Sequence, residues 1–249
     1  MNINAVKLRK SILIFTLLSA ILVLGDCKKE SIEGSYDNRT LGTSAKDLLS
    51  SSHYTALQIE IQYMPGYEPD DASINNLKAF LNRSINKPGG IRVIKEPIPA
   101  GSLPVMSLYN VVSLERSWRL DFTRGDVISV YILITNSYYT EADVLATAYW
   151  NTAFCLFGGA IDDNAGQTVV TRSVLMTTLL EHEFGHLMGL VDLGSPMQTD
   201  HKDSENGAHC NNPDCLMYYN VEAGITEALQ SIPSLDANCL ADLRANGGK

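Results

Sequence analysis

Residues 174–190 read VLMTTLLEHEFGHLMGL, and this stretch decides how the rest of the chain is interpreted. Apolar residues flank the five residues from His182 to His186 on both sides. Leu, Met and Glu are good helix formers, whereas a glycine often marks the point at which a helix ends. We therefore predict one largely buried helix that begins near Val174 and ends at Gly189.

The predicted helix carries two histidines, His182 and His186, four residues apart. Side chains at positions i and i+4 project from the same helix face about one turn apart. This separation allows one nitrogen of each ring to reach a single Zn²⁺ at ~2.0–2.1 Å. Glu183 adjoins them, and such a carboxylate can take a proton from metal-bound water and pass it to a leaving amine. The alternative, two histidines bonded only to protein groups, would bury costly polar groups in an apolar helix.

The pattern that begins at His182 resembles the H-E-x-x-H-x-x-G-x-x-H/D motif of the metzincin clan of zinc peptidases. Gly189 matches the turning glycine of that motif, and Met217 resembles the methionine that forms a hydrophobic floor under the metal in the Met-turn. Tyr219 stands where astacin-like members carry a metal-contacting tyrosine. The resemblance implies that Tyr219 stabilises the tetrahedral intermediate or is a labile ligand, with an ordinary packed aromatic as the alternative.

The third metal ligand has three candidates. Asp192 stands three residues after Gly189, where snapalysin-like members use an Asp. The segment 209–217, HCNNPDCLM, resembles the H-C-x-x-x-x-C-x-M pattern of the archaemetzincins, whose histidine is the third ligand; this favours His209. Residues 191–208 are then an insertion, where that family has one residue, and His201 within it is the third candidate.

The late cysteines have two interpretations. Archaemetzincins carry a further C-x-x-C that completes a second, structural zinc site, and this chain has Cys239 and Asp242 at that spacing. The resemblance therefore implies a structural Zn²⁺ held by Cys210, Cys215, Cys239 and Asp242. In an exported protein a disulfide among these cysteines is an equal alternative.

The first residues form a targeting segment. A basic stretch precedes the apolar run at residues 11–24, and fourteen helical residues rise only ~21 Å, less than a ~30 Å hydrocarbon core. The run ends in LGDC, which resembles a bacterial lipobox and implies lipidation of Cys27; a soluble secreted protein and an uncleaved anchor are the alternatives. We expect a lipoprotein signal peptide at 1–26, a polar tether at 27–52 and a metallopeptidase domain at 53–249.

The remaining pattern predicts the order β-α-β-α-β-β-α. Strands are expected at residues 53–63, 91–98 and 126–135, the last apolar on both faces and therefore central. Helices are expected after Asp71 or Ser73 and near residues 107–118, and one or two short extended pieces at 149–161. The fold class is α/β (α+β): a single metzincin-like catalytic domain with a mixed twisted sheet, an HExxH helix and a Met-turn.

Composition narrows the possible partners. The chain has 249 residues and a formal charge of −9, from 28 acidic against 19 basic residues, so it would be repelled by nucleic acid. The HExxH pattern and the metzincin resemblance, by contrast, imply a monomeric zinc metalloendopeptidase that hydrolyses peptide or protein substrates. It would be lipid-anchored in the bacterial cell envelope, facing the periplasm or the exterior. The alternatives are an exported binding module with a structural zinc and a zinc hydrolase of a non-peptide amide or ester.

Overall fold

The computed structural model describes residues 36–167, 170–221 and 231–249. The predicted signal peptide, Cys27 and the first part of the predicted tether lie outside these residues. Within the described chain, no helix has both the length and the apolar character needed to cross a bilayer.

The described chain forms a mixed sheet of five strands with six α-helices and one short two-stranded sheet. The strands are β1 (Ala56–Tyr63), β2 (Gly90–Pro97), β3 (Val105–Met106), β4 (Val127–Thr135), β5 (Tyr138–Tyr139), β6 (Ala146–Trp150) and β7 (Ala153–Phe157). The helices are α1 (Ala45–Leu49), α2 (Asp71–Ser84), α3 (Leu108–Trp118), α4 (Gly158–Gln167), α5 (Arg172–Leu187) and α6 (Ala237–Ala245). The predicted α/β class is confirmed.

The five-stranded sheet has the order β2-β1-β4-β7-β6. Neighbouring strands are parallel except for β6, which runs antiparallel to β7 and forms one edge. The central strand β4 is buried along residues 128–135, as its unbroken apolar run predicts for a strand covered on both faces. Its alternate side chains therefore contribute to two separate cores.

The two cores place α5 on one face of the sheet. Ile128 and Ile132 of β4 pack in the core that includes α2 and α5, whereas Tyr131 packs in the core that includes Val111 of α3. Successive side chains of a strand point to opposite faces of the sheet. The helix α5 and the helix α3 therefore cover opposite faces.

A polar side chain fixes the start of α5. Thr171 accepts a hydrogen bond from the Val174 backbone N–H at 3.2 Å, which satisfies one of the free donors in the first turn. The helix therefore begins at Arg172, two residues ahead of the predicted start.

The helix α5 ends at Leu187, and the chain turns sharply at Gly189. The φ of Gly189 is +76°, and a Cβ there would lie 2.6 Å from the backbone nitrogen of Ser195. A side chain is therefore excluded both by the left-handed backbone and by the close approach of the following loop. This turn brings Ser195 back to the end of the helix, where its hydroxyl donates to the Met188 carbonyl at 2.7 Å.

Residues 36–52, the described part of the predicted tether, are packed into the fold instead of forming a linker. They contain α1, and Leu48 and Leu49 are buried in the core. The ammonium of Lys87 donates hydrogen bonds to the backbone carbonyls of Asp47, Ser50 and Tyr54. The compact fold thus includes residues ahead of 53, because two adjacent leucines in a polar stretch supply enough apolar surface to pack.

The second half of the segment 149–161, which the sequence predicts to be extended, is helical in the structure. Two strands, β6 and β7, are present as expected, but α4 begins at Gly158. The low helix propensity of Gly158 and Gly159 favours the extended prediction. The burial of Ile161 in the core outweighs that preference.

Candidate metal centre

Three buried histidines form what we call the histidine cluster: His182, His186 and His209. One ring nitrogen of each lies within 4.8 Å of the others. The Nε2 atoms of His182 and His186 are 3.0 Å apart, as expected for rings one helical turn apart on α5. The ring of His209 comes from the loop that returns after Gly189, and its centroid lies 5.3 Å from that of His182.

Backbone carbonyls fix the orientation of two of these rings. The Nδ1 atom of His182 lies 2.7 Å from the carbonyl oxygen of Leu216, and the Nδ1 atom of His209 lies 2.7 Å from that of Asn206. A carbonyl only accepts, so each Nδ1 carries the hydrogen and each Nε2 carries the lone pair. Such contacts are the usual way in which a protein orients a metal-binding imidazole.

The electrostatics of the cluster favour the neutral form of His186. Burial, with smaller contributions from His182 and His209, lowers the pKa of His186 well below its ordinary value. Neutral imidazole is the form that binds a metal ion. Three converging nitrogen donors also match the number of protein ligands in a hydrolytic zinc centre.

Glu183 follows His182 on α5 and is fully buried. Burying a charged carboxylate costs free energy unless it is hydrogen-bonded, paired with a cation or bound to a metal. The position beside the first histidine is the one from which a general base would act on water at the cluster.

Met217 packs directly against the helix that carries the two histidines. It is fully buried, and a Cβ placed on Gly185 would lie 2.2 Å from its sulfur atom. The glycine between the histidines is therefore required by the close approach of Met217. The ring of Tyr219 stands at the edge of the cluster, with its centroid 5.5 Å from that of His209.

The other two candidates for the third ligand lie elsewhere. Asp192 is 60% exposed in its side chain and forms an ion pair with Lys202 at 3.1 Å. His201 is buried among thiols and belongs to a second group. Among Asp192, His201 and His209, the fold brings only His209 to the two histidines of α5.

In the second group, ligand atoms of His201, Cys210, Asp236 and Cys239 lie within 4.8 Å of one another. With Cys215 in place of Asp236, we call it the thiol cluster: His201, Cys210, Cys215 and Cys239. The Nδ1 atom of His201 is 3.4 Å from Cys210 Sγ and 4.0 Å from Cys239 Sγ. The sulfur atoms of Cys215 and Cys239 are 3.6 Å apart. All four side chains are buried, and no disulfide joins the cysteines of the described chain.

Asp242 has a different place from the one that the resemblance implied. Its Oδ2 atom is 2.8 Å from Nε2 of His201, and its Oδ1 atom accepts from the Gln198 backbone N–H. Asp242 therefore holds the far nitrogen of His201, and His201 is the group that faces the thiols. This is a correction to the implied ligand set, and its reason is that the insertion 191–208 brings a histidine to the cysteines.

The thiol cluster also stabilises a thiolate. Hydrogen bonds from Cys210 and Cys239 lower the pKa of Cys215, and the backbone N–H groups of Met217 and Asp236 lie 3.4 Å from its sulfur. Thiolate is the metal-binding form of cysteine. Asp236 also approaches the cluster, with its Oδ2 atom 3.5 Å from Cys210 Sγ, but its Oδ1 atom caps α6 at the Cys239 N–H.

Comparison with known proteins finds solved structures with a similar fold. No protein-family model matches the chain, and no curated protein matches it in sequence. The solved structure of archaemetzincin from Methanopyrus kandleri matches with a TM-score of 0.53 and 12% identity, over 77% of this chain and 96% of that chain. The chain folds like archaemetzincin.

A second structure, metalloproteinase-II from Bacteroides fragilis, matches with a TM-score of 0.43 and 15% identity. The match covers 80% of this chain and 55% of that chain. The likeness to archaemetzincin concerns the fold alone, so the chemistry of the site rests on the residues described above.

Sequence reasoning missed four residues that build or orient these clusters. It placed His201 only among candidates for the first metal and gave the fourth position beside the three late cysteines to Asp242. It did not use Gly185, whose place between the histidines was the available signal. No sequence signal indicated that the carbonyls of Leu216 and Asn206 orient the rings.

Proposed function

We propose that the protein is a zinc-dependent metallopeptidase that cleaves within peptide chains. His182, His186 and His209 would hold the ion, and Glu183 would be the general base. The observation that carries this proposal is the convergence of three buried imidazoles, with a buried carboxylate on the residue that follows His182, in a chain that folds like archaemetzincin. A site that only stabilised the fold would not need Glu183.

The residues divide the chemistry between them. When bound, zinc supplies Lewis acidity, which acidifies water and polarises the scissile carbonyl. The carboxylate of Glu183 accepts the proton of the attacking water and then delivers it to the leaving amine. The hydroxyl of Tyr219 would donate a hydrogen bond to the oxyanion that develops on the substrate.

The sheet offers a place for an extended peptide. β6 is an edge strand, and its outer backbone groups have no backbone partner within the described chain. Ala148 of β6 packs in the same core as α5, so this edge lies close to the helix of the histidine cluster. A substrate could add to this edge by backbone hydrogen bonds, which suits a peptide better than a small ester.

A second, structural zinc is proposed for the thiol cluster. Three thiols and one imidazole form a common donor set for a closed zinc site. The hydrogen bond between Asp242 and His201 would orient the imidazole, as carboxylates often do for metal-bound histidines. The soft sulfur donors favour Cys215 over Asp236 as the remaining ligand.

Lipid anchoring through Cys27 in the bacterial envelope, with action on peptide or protein substrates as a monomer, completes the proposal. It is supported by the apolar run and the LGDC sequence at residues 24–27. The anchor would leave the folded part in an aqueous compartment outside the cytoplasm.

The replacement Glu183→Gln tests the mechanism. It keeps the size of the side chain but removes the base, so we expect peptide cleavage to fall by about 10²–10⁴-fold while the zinc content is retained. Peptide cleavage and zinc stoichiometry are measured on the same purified protein. Glu181→Gln, on the same helix but outside the cluster, is the matched control and should retain activity. Undiminished cleavage by Glu183→Gln would refute the assigned mechanism.

A further inference from the structure

Residues 201–211 form a short hairpin, which we call the 201–211 hairpin. The Asp203 N–H donates to the His209 carbonyl at 2.7 Å, and the Asn211 N–H donates to the His201 carbonyl at 2.9 Å. Lys202 and Cys210 form an antiparallel bridge between these bonds. The hairpin therefore fixes the register of His201 against Cys210 and His209.

The hairpin supplies residues to both clusters. His201 and Cys210 face each other in the thiol cluster, whereas His209 belongs to the histidine cluster. Successive side chains of an extended strand point in opposite directions, so His209 and Cys210 reach different sites from adjacent positions. A group that fixes Cys210 consequently restricts the backbone of His209.

The turn of the hairpin holds the ring of His209. The carbonyl of Asn206 accepts from Nδ1 of this ring. Asp203 in turn fixes Asn206, because its carboxylate accepts from the Asn206 backbone N–H at 3.2 Å and from Nδ2 at 2.7 Å. The carboxylate also accepts from the Glu205 N–H at 2.9 Å.

We propose that the 201–211 hairpin couples the two clusters, so that metal in the thiol cluster sets the position of His209, with Asp203 and Asn206 as positioning residues. This inference rests on the proposed function, because it requires metal at the histidine cluster. Its physical basis is the long connection between Gly189 and His209, which has many conformations to lose. Anchoring His201 and Cys210 to one ion removes that freedom before His209 must bind.

The coupling predicts an order of metal loading. Full-length protein stripped of metal is titrated with Co²⁺, whose thiolate charge-transfer absorption reports the thiol cluster separately from the histidine cluster. We expect the thiolate absorption to saturate before the second equivalent binds. Binding of the first equivalent at the histidine cluster, with the thiol cluster still empty, would overturn the proposal without requiring any variant.

Two variants test the two halves of the hairpin. Cys239→Ser weakens the thiol cluster from outside the hairpin, and Asp203→Ala releases the turn. We expect each to lower the zinc affinity of the histidine cluster by about 10–100-fold in a chelator competition. Glu205→Ala, an exposed acid in the same turn, is the control and should bind as the wild type does.

The outcomes separate this inference from the proposed function. If His182→Ala leaves the metal stoichiometry and affinities unchanged, the histidine cluster does not hold metal and the proposed function fails. If His182→Ala removes one equivalent but Asp203→Ala and Cys239→Ser retain wild-type affinity at the histidine cluster, the proposed function stands and the coupling is refuted. Weakened binding in both variants, with Glu205→Ala unaffected, supports the coupling.

Discussion

Gly185 shows how a single residue type is required by the packing beneath the histidine cluster. Its Cα faces the sulfur of Met217 so closely that a methyl group would overlap it. The methionine is surrounded by the core and has little room to withdraw. The absence of a side chain at position 185 thus sets the distance between α5 and the segment that follows His209.

Gly185→Ala should therefore destabilise the protein. Overpacking of this kind costs about 1–3 kcal/mol, although alanine is the better helix former. The free energy of unfolding is measured with a chemical denaturant. Gly166→Ala, on α4 with open space around the added methyl group, is the control and should be neutral or slightly stabilising. Equal stability of the two variants would contradict the packing argument.

At the scale of the element, Lys87 joins α1 and the start of β1. Its ammonium is the shared donor for three backbone carbonyls, and burial lowers its pKa to about 8. Three carbonyls that converge on one cation form a connection that depends on a single side chain. The segment around α1 should accordingly be more sensitive to this buried residue than to lysines nearer the surface.

Lys87→Met keeps the length of the side chain but removes the donors. The carbonyls of Asp47, Ser50 and Tyr54 then lose their partner, and we expect a loss of about 1–3 kcal/mol. Hydrogen exchange measured by mass spectrometry should show faster exchange around α1 than in the wild type. Lys78→Met on α2 is the control, and unaltered exchange in Lys87→Met would count against this connection.

The elements differ in how far sequence alone predicts them. β4 and α5 are predicted closely because a long apolar run and well-spaced histidines are local signals. The start of α4 at Gly158 is missed because tertiary burial overrides a local preference. His182 and His186 follow from their spacing on one helix. The H-C-x-x-x-x-C-x-M register favours His209 over Asp192, but the path of the eighteen-residue insertion that brings His209 to α5 is encoded by no periodicity.

At the scale of the whole molecule, the proposed lipid anchor would determine where the protein is located. Cys27→Ser removes the only thiol in the LGDC sequence, so we expect the protein to move from the membrane fraction to the soluble fraction. Fractionation of the producing cells with immunodetection measures this. Lys28→Ala leaves the cysteine intact and should remain with the membranes. Membrane retention of Cys27→Ser would argue for an uncleaved anchor.

The packing of residues 36–52 has a practical consequence for heterologous production. A recombinant chain that starts at residue 53, where the sequence places the domain boundary, would lack α1 and two of the three carbonyls that receive the Lys87 ammonium. It would expose an apolar surface normally covered by Leu48 and Leu49, and such surfaces promote aggregation. Expression should therefore begin no later than Tyr36.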